Sequence, residues 1–430
     1  MVRKSILLAS GFLIAVASLY AQPKVTDLNT PLHLMKPDYK VPYGVPSKDD
    51  VQAVVDRVYK CVDEGTRIGK NAPKQIFRIT GYEWGVTYSG MIALANVCDD
   101  GKFADYVRSR HLHLAEGFAN GTIRSLISPG ALDDCGAITA SMIKMLLKNP
   151  GMKSLRPVID NCVKYIRYKE FRLEDGTLAR NRPLADAVWL DDMFMGIPAL
   201  AWYGRLSGDK SYYEEAIRQV RLFAGKMWVP EKSLFRHGWI AAMDGHPAYQ
   251  WGRANGWAVL TLSEVLDAVP EGFPGRGSAM DLFKKHVAGL AALQSGEGFW
   301  HQLLDRNDSY LETSATAIFA YCFAHGVNEG WLNALEYGPV AVLAWNAVST
   351  MVGDDGYVYG TCVGTGMGFD PAFYYYRPVS QMAAHGYGPV LLAGAETLRL
   401  LGTHFPKVND SAVQFYDRDM SDKGAIFSVK

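Results

Sequence analysis

Six stretches of this 430-residue chain repeat one plan: a loop with aromatic, acidic or glycine residues leads into a helix-length run of small and apolar residues. They are YEWGVTYSGMIALANV from Tyr82, LDDCGAITASMIKMLLK from Leu132 and WLDDMFMGIPALAWYGRL from Trp189. WGRANGWAVLTLSEVLDAV follows from Trp251, YLETSATAIFAYCFAHGV from Tyr310 and HGYGPVLLAGAETLRLL from His385. Their starts fall about 50 to 75 residues apart, room for two helices and their connections. Between them lie segments such as DKSYYEEAIRQVRLFAGKMW (209–228) and MDLFKKHVAGLAALQ (280–294). Their apolar residues recur three and four apart, the mark of a helix with one face in solvent. Alternating a nearly all-apolar helix with an amphipathic one, six times, predicts two concentric layers. The fold class expected is all-α, an (α/α)6 toroid of six hairpins with short β-hairpin insertions. The clearest strand pattern, DDGYVYGTCV (354–363), predicts one such hairpin.

In a toroid of this kind the inner helices run parallel and their N-terminal ends share one mouth. Each end carries roughly half a positive charge and unpaired N–H groups, so six together suit an anionic ligand. Trp84, Asp133, Asp134, Asp191, Arg253 and Glu312 stand at corresponding ends of different repeats. Residues scattered along the chain would then meet in one cleft.

The pair Asp191–Asp192 heads an apolar run, where an unpaired buried charge is costly. At about 100° per residue the two cannot both point into the cleft. One reading makes them a helix cap and a solvated neighbour. The other places one carboxyl where chemistry needs it, and Asp133–Asp134 repeats the arrangement at another helix head. A second carboxylate nearby would raise the proton affinity of the first and suit it to general acid work. In WGRANGW (251–257), Trp251 and Trp257 either pack or form a wall for a sugar acid. Arg253 either pairs with a structural carboxylate or grips a ligand carboxylate with both prongs. His237, in LFRHGW, is a structural group or a cleft residue. The glycines of GTCVGTGMG (360–368) do not match a nucleotide-binding fingerprint, and the stretch reads as a flexible loop over the cleft.

Composition narrows the classes. Lys+Arg and Asp+Glu are equal at 44 each and form no basic stripe, which argues against nucleic acid. Six dispersed cysteines lack the spacing of a zinc site and read mostly as buried thiols. MVRKSILLASGFLIAVASLYAQP has the basic start, apolar run and small residues of a secretory signal, with cleavage after Ala21 favoured over Ala17. Residues 1–21 are therefore expected to be a signal peptide and 22–430 a single catalytic domain, exported to the periplasm or beyond. No membrane span is expected, since no later stretch is apolar for about 18 residues.

Taken in order, the motifs WLDDMFMGIP, WGRANGW, FWHQLLDRNDSYLETSA and HGYGPVLLA resemble those of the unsaturated rhamnogalacturonyl hydrolases, glycoside hydrolase family 105. They are similar also to the related unsaturated glucuronyl hydrolases. The resemblance runs from about Tyr82 to Leu401. It implies the six-hairpin toroid, with Asp191 as catalytic acid/base and Asp134 as the second aspartate, Asp133 being the neighbouring alternative. It also implies substrate-binding roles for Trp251, Arg253, Trp257, His237 and His385, with Trp84 or Tyr88 as a further wall. The substrate implied is an oligosaccharide ending in a 4,5-unsaturated uronic acid, left by a polysaccharide lyase. No metal or organic cofactor is implied. Two other readings stay open: an inverting glycosidase using Asp134 and Asp191, and a non-catalytic glycan-binding protein.

Overall fold

A computed structural model describes residues 40–123, 132–243, 249–409 and 412–416. The expected signal peptide lies outside the described residues. Among the described residues six outer helices alternate with six inner ones. The outer set is α1 (Lys48–Gly65), α3 (Lys102–Ala119), α5 (Arg156–Tyr168), α7 (Lys210–Met227), α9 (Arg276–Ala291) and α11 (Ala334–Ser349). The inner set is α2 (Tyr82–Val97), α4 (Asp133–Lys148), α6 (Asp191–Ser207), α8 (Gly252–Ala268), α10 (Thr313–Asn328) and α13 (Tyr387–Thr403). A short α12 (Pro371–Tyr375) precedes the last inner helix. Each inner helix packs on the next, α13 closes the ring against α2, and α1 covers α13.

Burial follows the sequence pattern. In α8 every residue from Gly252 to Leu266 is buried, and only Asp267, just before the end of the helix, is part-exposed. In α5 only Val158, Ile159, Cys162, Val163 and Ile166 are buried, a single stripe turned toward the inner ring. Small residues set the approach of inner helices: a Cβ at Gly136 of α4 would overlap the Met195 carbonyl of α6. The six cysteines are free thiols, five of them buried.

Among the described residues four antiparallel pairs of short strands decorate the connections. They are β1 (Ala187–Trp189) with β4 (Gly238–Ile240), β2 (Trp228–Val229) with β3 (Leu234–Phe235), β5 (Trp300–His301) with β6 (Leu311–Glu312), and β7 (Lys407–Asn409) with β8 (Ala412–Gln414). The hairpin expected at 354–363 is not among them. That stretch makes only the isolated bridges Val352↔Val358 and Cys362↔Val379. The Cys362 N–H goes instead to the Glu312 carboxylate at 2.8 Å, so a side chain takes the bond a strand would need.

Candidate active site

Asp191 is the first residue of α6, with β1 leading in. Its N-cap, Leu190, makes no side-chain cap, and the helix N-terminus favours a negative charge there. Leu190 N–H donates to the His237 carbonyl at 2.9 Å, which ties the head of α6 to the turn before β4. His237 Nε2 then meets Asp191 Oδ2 at 3.0 Å, while Nδ1 meets the Tyr374 hydroxyl at 2.7 Å. Gly368 N–H donates to the same hydroxyl oxygen at 3.0 Å. One assignment completes every bond: Tyr374 O–H donates to Nδ1, and Nε2–H donates to Asp191. A single carboxyl is thereby oriented by a relay that begins 183 positions downstream in the chain, at Tyr374.

Asp192 points elsewhere, as the helical angle requires. It is buried and held by Arg180, whose Nε donates to Asp192 Oδ2 at 2.8 Å and whose Nη2 reaches both Asp192 Oδ1 and Asp133 Oδ1. Burial pushes the Asp192 carboxyl up to about 6, with Arg180 pulling the other way. Asp191 behaves in the opposite sense. Burial works to raise it, but the His237 hydrogen bond and the charges of Arg180 and Arg253 outweigh burial and hold it below the usual carboxylate range. The expectation of a carboxyl kept protonated by a neighbouring aspartate is therefore corrected. Arg180 offsets part of the neighbouring aspartates' charge, and the His237 hydrogen bond with the nearby cations outweighs what remains at Asp191.

Asp134 accepts from Tyr82 N–H at 2.9 Å and pairs with Arg78 at 2.6 Å. Burial pushes its carboxyl up, against Arg78. Asp133 and Asp134 thus serve different partners: one joins the Arg180 pair, the other caps the head of α2. Tyr82 stands among these groups, its hydroxyl 2.5 Å from His385 Nε2, with Glu83 3.6 Å from the same nitrogen. Burial pushes the Glu83 carboxyl up and, with the Arg253 charge, holds the His385 imidazole well down.

Five aromatic and cationic expectations need correction. Trp84 and Tyr88 do not face the basin. Four apart on α2, they share its outer face, where Trp84 Nε1 donates to the Tyr106 hydroxyl at 2.8 Å and Tyr88 lies edge-on to His111, both on α3. Trp251 and Trp257 present no open indole face. Trp251 is fully buried, with the Arg253 guanidinium at 4.6 Å and the tilted His237 ring at 4.7 Å, and its Nε1 donates to Gln302. Trp257 stacks on Phe194 at 5.0 Å beneath Tyr82. Arg253, 1% exposed, does not offer a free fork either. It donates to the Cys362 and Val363 carbonyls, each at 2.7 Å, and lies 4.0 Å from Glu312.

Those bonds also change the reading of the glycine-rich loop. It lies across the site but is pinned rather than loose. Arg253 holds 362–363, Gly364 sits beside His385, Gly366 beside Trp189, and Met367 packs with Ala187 and Ile240. Sequence reasoning missed four groups: Arg180 under the Trp189 ring at 4.5 Å, Tyr374, Tyr82 and Glu83. Tyr82 and Glu83 stood at the head of a recognised repeat and were legible there. Arg180 and Tyr374 lie in connections with no motif of their own.

The sequence profile of Glycosyl Hydrolase Family 88 matches residues 51–401. Over 216 residues the chain is 32% identical to an unsaturated 3S-rhamnoglycuronyl hydrolase of Alteromonas sp. (strain LOR), covering 49% of this chain and 51% of that one. Over 242 residues it is 28% identical to an unsaturated rhamnogalacturonyl hydrolase of Bacillus subtilis (strain 168), covering 55% of this chain and 68% of that one. The chain thus spans about half the length of the Alteromonas relative. A crystal structure described as a possible member of family GH105, from Salmonella enterica serovar Paratyphi A, superposes with a TM-score of 0.72 at 23% identity. It covers 83% of this chain and 96% of its own, a likeness of fold.

Proposed function

The chain belongs to Glycosyl Hydrolase Family 88, and from that premise we propose that it releases a 4,5-unsaturated uronic acid from the non-reducing end of lyase-generated oligosaccharides. The names of both curated relatives join a rhamnosyl to a glycuronyl or galacturonyl unit. A uronate linked to rhamnose, of the rhamnogalacturonan or pectin type, is accordingly the preferred substrate. The observation that carries the reading is one buried carboxyl, Asp191, fixed by His237 within the field of two guanidinium groups.

The chemistry needs that carboxyl twice. In the free enzyme Asp191 is ionised. A substrate carboxylate entering the field of Arg180 and Arg253 offsets their charge and raises the proton affinity of Asp191. Asp191 then protonates C4 of the enol ether, and positive charge develops at C5 and the ring oxygen. The regenerated carboxylate takes a proton from the water that adds to C5. The hemiketal opens at C5, leaving a hemiacetal at C1 that expels the next sugar. Ordinary glycosidases divide acid and nucleophile or base roles between two carboxyls. Here Asp134 is committed to Arg78 and the head of α2, which disfavours the two-carboxyl inverting reading.

Mixing the protein with lyase-treated pectin should abolish the ultraviolet absorbance of the unsaturated uronate, and reaction in heavy water should place deuterium at C4. A released sugar that keeps its double bond would refute the mechanism. Turnover of saturated oligosaccharides with anomeric inversion would favour the alternative. A glycan-binding protein would show neither. The basic and apolar start of the chain supports export to the periplasm or beyond, testable by sequencing the N-terminus of the protein recovered outside the cytoplasm. Among the described residues no helix is long and apolar enough to cross a membrane.

A further inference from the structure

Arg180 occupies the gap between the heads of two neighbouring inner helices. It is 4% exposed, and its backbone is paired in both directions with Ala187, the start of β1. One guanidinium bridges Asp192 of α6 and Asp133 of α4, while its flat face lies under the Trp189 indole. Beyond these it faces Asp191 on α6 and Glu170 after α5. Asp191 in turn faces His237, Arg253, Asp192, Tyr82 and Tyr374.

We propose that Arg180 is a positioning residue for the reaction: by locking the first turn of α6 to that of α4, it holds Asp191 and the Trp189 indole in fixed places around the C4=C5 bond. The inference rests on the uronyl hydrolase reading of the site. A planar fork is needed for the task, because two carboxylates on separate helices must be met in one plane while an aromatic ring covers the third side. A lysine supplies the charge but not the geometry. Its charge has a second consequence, with a sign that can be tested. Removing the cation makes a proton on Asp191 easier to keep. Removing the Asp192 charge leaves more of the cation's field acting on Asp191 and makes that proton easier to lose.

The test is the pH profile of kcat on an unsaturated disaccharide, whose alkaline limb reports the acid in the bound complex. Arg180→Gln should move that limb up by roughly one unit and Asp192→Asn should move it down. Arg180→Lys should leave the limb near that of the unaltered enzyme while kcat falls about tenfold with little change in KM. Limbs that stay put, or move in the same direction in both variants, would overturn the role, since loss of mere structural support has no reason to move them oppositely. Should Arg180→Gln not fold, the downward shift in Asp192→Asn with the unmoved limb in Arg180→Lys decides the matter. An unaltered enzyme without activity on any unsaturated disaccharide would instead overturn the functional reading on which the inference rests.

Discussion

At the scale of single residues, adjacent aspartates do different work because a helix turns them apart. Asp191 meets His237 and Asp192 meets Arg180. Asp191→Asn keeps the shape but removes the transferable proton. Turnover should fall by about 10³-fold or more, while calorimetry on the unsaturated disaccharide should still register binding. Tyr374→Phe should strand the Gly368 N–H and remove the donor to His237 Nδ1, since both bonds converge on that hydroxyl. The expected loss is about 1–3 kcal/mol of stability, read in denaturant melts, together with a lower kcat. The carboxyl, the imidazole and Arg253 were legible from their motifs. Tyr374 was not, because what brings it to His237 is the path of a long connection, and contacts across 137 positions leave no local pattern. Trp84 and Tyr88 misled for a local reason: their spacing of four marks a shared face, but spacing alone does not say whether that face looks inward or toward α3.

At the scale of elements, the alternation of all-apolar and amphipathic helices was legible because burial on all sides and burial on one side demand different compositions. The six inner helices begin at or within a few residues of the stretches read from the sequence. The strand pairs were not legible, being two or three residues long and fixed by where the hairpins end. Packing between inner helices depends on missing side chains. Gly136→Ala would force a methyl group into the Met195 carbonyl, and α4 and α6 must separate to admit it. A cost of about 1–3 kcal/mol is expected. Gly101→Ala, where nothing lies within 4 Å, should leave the melting temperature nearly unchanged and serves as the control.

At the scale of the whole molecule, three inner helices are clamped together by charge at the end of the toroid away from Asp191. His325 of α10 presents Nε2 to Asp267 of α8 at 3.0 Å and Nδ1 to Glu396 of α13 at 3.1 Å. Both nitrogens must carry hydrogen to face two carboxylates. Burial works to lower the imidazole, but Asp267 and Glu396 outweigh it and hold His325 well above its ordinary value. The stability this contributes is complete below the unfolded value of about 6.5 and is lost as pH rises through the folded one. Breaking the clamp with His325→Gln should cost about 3 kcal/mol near pH 6. The gap in melting temperature from the unaltered protein should narrow steadily at alkaline pH; a gap constant from pH 6 to 10 would contradict the charged clamp.

The seating of α1 on α13 carries a further consequence for how the molecule comes into being. Among the described residues the first helix is the mate of the last, more than three hundred positions away. A nascent polypeptide can stack its hairpins one upon another as they emerge, yet the arc stays open until α13 has been made. Truncation after α11 should leave a horseshoe with two raw apolar edges rather than a smaller ring, prone to pair with its own kind.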